Sequence, residues 1–280
     1  MDLRVDRLAT LYLVNPVLRR SSPPAGSIPI LMYHSISNDA ESGVRAYYRT
    51  ATAPAVFASH MNDLHEQHYR TVNLAEAARA LQNGGATEKL AVITFDDGYA
   101  DFIDHAMPAM SRYGFTATIF LPTAFIGQEA RQFKGKDCLT WAQVRELQRL
   151  GIDFGSHTIN HPQLSTLDPS AVAQEVSQSK RTIENELSRA VESFAYPFAF
   201  PEQKASFVES LREVLVESGY RQGVCTRIGT ARPKEDPYFL RRLPMNSLDD
   251  AALFNAKLRG GYDWLYSLQS ASKKVKSYVQ

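Results

Sequence analysis

The feature that most limits how this chain folds is a series of short apolar runs separated by segments with helical spacing. The runs lie at residues 29–33, 90–95, 115–121, 152–154, 193–196, 221–225 and 239–240. Apolar side chains on both faces of a run are typical of strands in a parallel sheet that helices cover. Such strands alternating with helical segments indicate repeated βα units. We therefore expect an α/β fold, a distorted or incomplete (β/α) barrel of about seven strands.

Net charge limits the possible partners of the chain, and its length limits the number of domains. The chain has 280 residues, with 31 basic and 30 acidic side chains and a formal net charge of +1. A dedicated nucleic-acid binder shows a basic excess, so we expect no nucleic-acid partner. A barrel of this kind occupies about 250 residues. We therefore divide the chain into an N-terminal helix and linker at residues 1–27 and one large domain at residues 28–280.

The N-terminal segment combines basic and apolar residues. Arg4 and Arg7 precede an apolar stretch at residues 8–14, which Pro16 interrupts. A secretory signal has an uninterrupted apolar core and a small-residue cleavage site, and neither is evident. No stretch reaches the roughly 20 apolar residues of a membrane span. We expect the segment to pack on the domain, with peripheral membrane contact through residues 1–20 as the alternative.

The same features bear on location. Without a clear export signal, we expect the protein in the cytoplasm or at the cytoplasmic face of a membrane. A periplasmic or extracellular location is the alternative.

Polar side chains follow several of the predicted strands at the point where each strand ends. They are His34, Asp96 and Asp97, His157, and Tyr196 with Pro197. In α/β barrels the functional residues lie at the carboxyl ends of the strands, which share one rim. We therefore expect these side chains to meet in one site, which also requires one barrel and not two small domains.

Asp96 and Asp97 come directly after the apolar run 90–95 and before Gly98. Two carboxylates at the end of a buried strand are costly unless they are paired, hydrogen-bonded or bound to a cation. Glycine lets the backbone turn sharply, so both can face one cavity. The alternative is a helix N-cap with an ordinary turn.

His157 and His161 are four residues apart, after the run 152–154. On one helical turn, residues at this spacing face the same side and suit two imidazoles on one ion. With Asp97 they would form a catalytic divalent-metal site that leaves positions open for water and substrate. The same set formally fits a non-haem iron(II) centre. A pair of capping or core histidines is the alternative without a metal.

Residues 94–98 (TFDDG) and 156–162 (SHTINHP) resemble the first two motifs of the NodB-homology polysaccharide deacetylases, carbohydrate esterase family 4. Residues 194–198 (FAYPF) are similar to the third motif. Residues 31–34 (LMYH) resemble the opening strand of the branch that includes poly-N-acetylglucosamine deacetylases. The resemblance covers residues 28–245 or thereabouts.

The resemblance implies a NodB-like barrel and a metal-dependent hydrolase that removes acetyl groups from N-acetylated sugars. It makes Asp97, His157 and His161 the metal ligands, with zinc the usual ion. It makes Asp96 the general base. It also places an oxyanion-binding backbone N–H at Tyr196, next to Pro197. The sequence itself does not separate zinc from cobalt, nickel or iron.

Two departures from the family pattern concern proton transfer. The usual third motif carries an arginine that orients the base, and this chain has Ala195 there. Arg242, in the segment 240–244 (LRRLP) that continues the last apolar run, is our candidate substitute. The family also places its general acid in a late Leu-x-His motif, but the last histidine here is His161. His34 is therefore our candidate acid.

Other functions remain open on the sequence alone. One alternative keeps the fold and metal but acts on a small non-sugar amide or a cyclic imide. Another is a non-catalytic carbohydrate-binding pseudoenzyme, suggested by Ala195 and the missing late histidine. The expected partner in the leading interpretation is an N-acetylated carbohydrate of a polysaccharide or glycoconjugate.

Overall fold

The computed structural model describes residues 4–18 and 25–266. The strands are β1 (Ile30–Tyr33), β2 (Arg70–Thr71), β3 (Leu90–Phe95), β4 (Thr118–Leu121), β5 (Gln132–Phe133), β6 (Lys136–Asp137), β7 (Asp153–Ser156), β8 (Ser193–Ala195), β9 (Gln222–Ile228) and β10 (Leu240–Pro244). The α-helices are α1 (Val5–Leu8), α2 (Asn15–Leu18), α3 (Pro54–Glu66), α4 (Leu74–Gln82), α5 (Met107–Ser111), α6 (Trp141–Arg149), α7 (Pro169–Leu187), α8 (Ala205–Glu217) and α9 (Ala251–Leu258). π-helical turns at Ala9–Val14 and Phe102–Ala106 lead into α2 and α5.

Seven strands form a closed parallel ring. Their order is β1, β3, β4, β7, β8, β9 and β10, and β10 pairs with β1 to complete the circle. The short strand β2 pairs with the start of β3, whose end pairs with β4. The expected α/β barrel of about seven strands is therefore confirmed, and the ring is closed.

The inside of the barrel is filled by side chains from alternate strand positions. This interior cluster contains Ile30, Val92, Phe120, Ala195, Val224 and Leu240. A Cβ atom at Gly155 would lie 2.5 Å from Cε1 of Phe120, so only glycine fits at that point of β7. The larger cluster of buried apolar residues, which includes Leu31 and Ile93, packs between the strands and the helices. Successive side chains along a strand point to opposite faces, so each strand contributes both to the barrel interior and to the cluster beneath the helices.

The predicted strands overlap the observed ring strands, one for each of the seven apolar runs. Helical spacing in the sequence predicts helices at residues 57–68, 100–113, 141–150, 170–187 and 205–218, and these overlap α3, α5, α6, α7 and α8. Thr140 with Gln143 also resembles a capping box in the sequence, and it caps α6 in this way, while Asp168 caps α7. The predicted ranges do not include α4, although Asn73 caps it and its buried face holds Leu74, Ala77, Ala78 and Leu81.

The N-terminal helical segment, residues 5–18, lies against the region around α9. Arg7 forms an ion pair with Asp250, and Nε1 of Trp264 donates a hydrogen bond to Oγ1 of Thr10 at 3.1 Å. Part of the expected linker, residues 19–24, lies outside the described residues. Among the residues described, no helix has both the length and the apolar character needed to cross a bilayer.

Candidate active site

A cavity of about 380 Å³ opens at the carboxyl ends of the strands. Six of the side chains singled out from the sequence line it, namely His34, Asp96, His157, His161, Tyr196 and Arg242. Asp97 lies beside them and is buried. The rim of the barrel thus brings together residues that are far apart in the chain.

Asp96 follows β3 on its inward side and is held by Arg242 from β10. Oδ1 and Oδ2 of Asp96 accept hydrogen bonds from Nη1 and Nη2 of Arg242 at 2.6 and 2.7 Å. The guanidinium also donates to Oγ1 of Thr94 and to the carbonyl of Cys225, both at 3.3 Å. Burial alone would raise the pKa of Asp96, but the charge and hydrogen bonds of Arg242, together with the nearby His157 and His34, outweigh burial and lower that pKa well below its usual range. Asp96 is therefore ionised at neutral pH.

Asp97 occupies a strained position that turns its carboxylate into the site. Its φ is +72°, and Gly98 follows at +62°. A side chain in the left-handed region is uncommon and is often found where function requires it. Oδ2 accepts hydrogen bonds from the Tyr99 hydroxyl at 3.1 Å and from Nζ of Lys134 at 3.4 Å. Oδ1 is buried and has no hydrogen-bond donor among the residues described.

His157 is oriented by the backbone of the third motif. Its Nδ1 lies 2.8 Å from the carbonyl oxygen of Ala195 and so carries the proton donated to that oxygen. The lone pair is then on Nε2, which faces Oδ1 of Asp97 at 3.7 Å. A histidine fixed through one nitrogen in this way is typical of a metal ligand that binds through the other.

His161 reaches the site from an irregular loop and not from a helical turn, so that part of the sequence expectation is wrong. Thr158 and His161 have φ of +71° and +54°. The carboxylate of Glu175 on α7 accepts the backbone N–H groups of Ile159 and Asn160 at 2.7 and 3.0 Å. Oγ1 of Thr158 accepts the N–H of His161 at 3.0 Å. These bonds replace the helical ones and fix the loop.

The surroundings of His161 keep its imidazole neutral. Its ring packs against Phe133 and Phe198, with centroids 5.1 and 4.7 Å away. Burial, followed by the neighbouring His157, lowers the pKa of His161 to about 3. A neutral imidazole is the form that binds a metal ion.

Asp97, His157 and His161 together fit a divalent cation. Their candidate ligand atoms lie within 4.8 Å of one another. Nε2 of His161 lies 3.4 Å from Oδ1 of Asp97, the carboxylate oxygen that lacks a donor. Two ligand atoms bound at about 2.1 Å to one tetrahedral ion lie about 3.4 Å apart. The unpaired carboxylate oxygen and the two imidazole lone pairs are all electron-pair donors. They repel one another, whereas a divalent ion between them would bind all three.

His34 directly follows β1 and lies near Asp96. Its Nε2 is 4.0 Å from Oδ2 of Asp96, and its Nδ1 is buried without a hydrogen-bond partner among the described residues. Burial lowers the pKa of His34 despite the nearby carboxylates. His34 is therefore neutral at pH 7, close to the predicted base but beyond direct hydrogen-bond distance from it.

The expected oxyanion donor is not available in this structure. The backbone N–H of Tyr196 donates to the carbonyl of Val224 at 2.9 Å, so it belongs to the hydrogen-bonding ladder between β8 and β9. The Tyr196 side chain does line the cavity, whereas Pro197 is buried and is not among the lining residues. Hydrogen bonding to β9 extends one residue beyond the end of β8, to Tyr196, which explains the difference.

The sequence predicts a long loop at residues 122–139, and a hairpin within this segment adds a cation to the site. Strands β5 and β6 pair antiparallel, and Lys134 and Gly135 turn between them with φ of +51° and +77°. Lys134 lines the cavity, contacts Asp97 and lies 4.5 Å from the centre of the Phe133 ring. The adjacent Lys134 and Gly135 between two polar runs were the available signal for this turn.

Comparison with known proteins agrees with this geometry. A family model for polysaccharide deacetylase matches residues 83–222. YxkH of Bacillus subtilis (strain 168), provisionally named a polysaccharide deacetylase, is 32% identical over 238 residues, which make up 85% of this chain and 77% of YxkH. The poly-beta-1,6-N-acetyl-D-glucosamine N-deacetylase of Staphylococcus aureus (strain MSSA476) is 20% identical over 204 residues, 70% of this chain and 67% of that protein.

Solved structures show the same architecture. The deacetylase PplD of Streptococcus pyogenes, solved in complex with acetate, has a TM-score of 0.72 at 25% identity and covers 85% of this chain and 99% of its own. IcaB of Ammonifex degensii has a TM-score of 0.66 at 22% identity, covering 84% and 98%. The resemblance to the NodB-homology deacetylases is thus confirmed. With a matching family model and a relative above 30% identity, the chain belongs to the polysaccharide deacetylase family, whose enzymes act on acetylated polysaccharides.

Proposed function

We propose that this protein is a metal-dependent hydrolase that removes acetyl groups from N-acetylated sugars of a polysaccharide or glycoconjugate. The observation that carries the proposal is the pairing of two features in one cavity. One is the buried set of Asp97, His157 and His161, and the other is an ionised carboxylate, Asp96, fixed by Arg242. A binding protein needs neither feature.

Asp97, His157 and His161 would hold the metal ion, for which we propose zinc. Two imidazoles and one carboxylate are a common catalytic zinc set, and cobalt, nickel or iron would also bind such donors. Asp96 has a low pKa and is a weak base, so it requires an acidified water, and a bound divalent ion supplies that acidity and polarises the acetyl carbonyl.

Asp96 is the proposed general base. Arg242 occupies both oxygens on one side and prevents the carboxylate from rotating. The remaining lone pairs of the oxygens face the cavity, where the attacking water would lie. A fixed carboxylate removes the entropy cost of orienting the base at each turnover.

His34 is the proposed route for the proton to the leaving amine. Because its pKa is lowered, His34 is neutral and cannot serve as an acid that is already charged at pH 7. A neutral imidazole can still accept a proton at a nitrogen with a free lone pair and give it up again from that nitrogen. We propose that Asp96 takes the proton of water, that a second water carries this proton across the 4.0 Å to Nε2 of His34, and that Nε2 then gives it to the amine.

The rim of the cavity supports a sugar chain as substrate. Tyr48 and Phe198 both line the cavity and are exposed, at 67% and 48%. Exposed aromatic faces beside a polar site are suited to stacking against sugar rings. A small amide or imide would use the deeper, polar part only and would gain nothing from these two rings.

The test is acetate release from N-acetylglucosamine oligomers by protein loaded with zinc. We expect Asp96→Asn and His157→Ala to lose activity by at least about a hundredfold. Asp104→Asn and His105→Ala change the same residue types at exposed positions outside the cavity and should retain it. Full activity of both site variants would refute the assignment.

The proton route has its own test. His34→Gln keeps a hydrogen-bonding side chain but cannot relay a proton, so kcat should fall by about a hundredfold with little change in KM. An unchanged kcat would mean that Asp96 delivers the proton to the amine itself.

A further inference from the structure

The N-terminal helical segment, residues 5–18, presents an apolar face to solvent. Val5, Leu8, Tyr12 and Leu13 are exposed at 63%, 40%, 69% and 71%. Val5, Leu8 and Tyr12 follow one another at spacings of three and four, so they share one side of the helix. Single exposed apolar residues are ordinary, but a grouped set on a helix marks a surface that binds something. We call these four residues the apolar face.

The opposite side of the same segment is fixed to the domain. Thr10 is fully buried and accepts the hydrogen bond of Trp264. Arg4 donates to the hydroxyl of Tyr262 at 2.8 Å and lies 3.6 Å from Asp249. These polar contacts hold the helix in one orientation. The segment therefore cannot turn its apolar face inward without breaking buried hydrogen bonds and ion pairs.

The apolar face adjoins the mouth of the catalytic cavity. Tyr47 and Tyr48 line that cavity, and they also line a second, shallow pocket together with Arg4 and Val5. Ten large apolar residues are exposed in the described part of the chain, and six of them belong to this region. They are the four of the apolar face together with Val44 and Tyr48. One continuous surface therefore runs from the helix to the site.

Basic residues lie on this surface or close to it in the sequence. Arg45 lines the shallow pocket and is exposed. In the sequence, Arg19 and Arg20 directly follow the helix. Lys273, Lys274 and Lys276 follow the stretch that contains Trp264, the partner of Thr10. Two basic clusters are thus close in sequence to the helix or to a residue that contacts it.

We propose that the apolar face binds the surface of an anionic lipid bilayer and holds the mouth of the cavity against it. Aliphatic and aromatic side chains on one face of a helix, with arginine and lysine around them, are the composition of helices that lie in a membrane interface. Clustered basic residues next to such a helix add attraction to anionic lipids. The proposal concerns where the protein works and does not depend on the reaction.

The test is sedimentation of the full chain with vesicles of phosphatidylglycerol and phosphatidylcholine. We expect binding to the mixed vesicles at low salt, weaker binding at high salt and little binding to phosphatidylcholine alone. The double variant Tyr12→Ser/Leu13→Ser should weaken binding by about tenfold or more. Replacing Arg19 and Arg20 by Ser should also weaken it and reduce its salt dependence.

The control is Leu150→Ser/Val216→Ser, which removes exposed apolar side chains elsewhere and should leave vesicle binding unchanged. Thermal unfolding followed by circular dichroism should occur at nearly the same temperature in the wild type and in the Tyr12/Leu13 variant, which shows that the variant is folded. The proposal is wrong if the wild type fails to bind anionic vesicles at low salt, or if the Tyr12/Leu13 variant binds them equally well. It is also wrong if light scattering shows a dimer that this variant abolishes, since a second copy would then cover the face.

Discussion

Arg242 in the middle of the barrel's last strand holds both carboxylate oxygens of Asp96, at 2.6 and 2.7 Å, across 146 residues of sequence. Both side chains are buried. The motif-three position where the family carries an arginine is Ala195, which packs in the interior cluster with Phe120. The Arg242 guanidinium lies 5.9 Å from that Phe120 ring. A small residue on β8 therefore leaves room for an arginine that arrives from β10.

Removing this arginine should be costly. Arg242→Met leaves Asp96 buried without its partner, so we expect the free energy of unfolding to fall by about 3–5 kcal/mol. The pKa of Asp96 should rise, because only the neighbouring His157 and His34 then oppose the effect of burial. Urea unfolding at pH 7 measures the first effect. A loss below about 1 kcal/mol would show that the pair contributes little.

An arginine returned to motif three should compensate. Ala195→Arg alone should destabilise the barrel, since it adds volume and a second cation beside Arg242. Combined with Arg242→Ala, the same change should cost less and restore part of the acetate release. A double-mutant cycle on unfolding free energy measures the coupling, for which we expect about 1–3 kcal/mol. Strictly additive effects on the unfolding free energy would contradict the idea that the side chains at positions 195 and 242 occupy the same space.

Lys134 should compete with the metal ion for Asp97. Its ammonium lies 3.4 Å from Oδ2 of Asp97, and the side chain is half exposed. A cation beside a ligand carboxylate weakens the binding of another cation, although solvent screening keeps the effect small. Lys134→Met should therefore tighten zinc binding several-fold, measured by competition with a chromophoric chelator. Lys136→Met, on the same hairpin, should not. Weaker binding by the Lys134 variant would mean that Lys134 positions Asp97.

His60 should make the fold sensitive to mild acid. Its Nδ1 accepts the Tyr33 hydroxyl at 2.9 Å and its Nε2 donates to the Asp249 carbonyl at 2.7 Å, an arrangement that needs the neutral ring. Burial lowers the pKa of His60 from 6.5 to about 4. Between these values the unfolded chain binds a proton that the folded chain does not, so stability falls as pH falls. At pH 5 this amounts to about 2 kcal/mol.

His60→Asn isolates this effect. The variant should be less stable than the wild type at pH 7, but its loss of unfolding free energy between pH 7 and pH 5 should be smaller by about 2 kcal/mol. Other histidines contribute equally to both proteins and cancel. Parallel pH dependence of the two proteins, measured without metal, would contradict the assignment.

The meeting of the strand ends could be predicted from the sequence. Parallel strands in a barrel direct their carboxyl ends to one rim, so apolar runs ending at His34, Asp96 and His157 had to bring those residues together. Arg242 could be expected from the chemistry of an unpaired buried carboxylate and from its place just after the last apolar run. What alternation alone did not show was that both terminal nitrogens of its guanidinium bind Asp96.

The details of loops could not be predicted in the same way. The loop that carries His161 depends on Glu175, a residue of α7 whose carboxylate replaces the missing helical bonds. The N–H of Tyr196 is not available to the site, because it donates to β9 one residue beyond the end of β8. Lys134 enters the site through a hairpin. Each of these depends on tertiary contacts that no local spacing records.

The central claim is that Asp97, His157 and His161 hold a metal ion on which acetate release depends. The most direct measurement follows acetate release from N-acetylglucosamine oligomers by chelator-treated protein before and after zinc is added, with zinc content determined in parallel. We predict no release without metal, recovery with about one zinc per chain, and neither recovery nor zinc in Asp97→Ala. Full activity of the metal-free protein, or stoichiometric zinc in Asp97→Ala, would contradict the account.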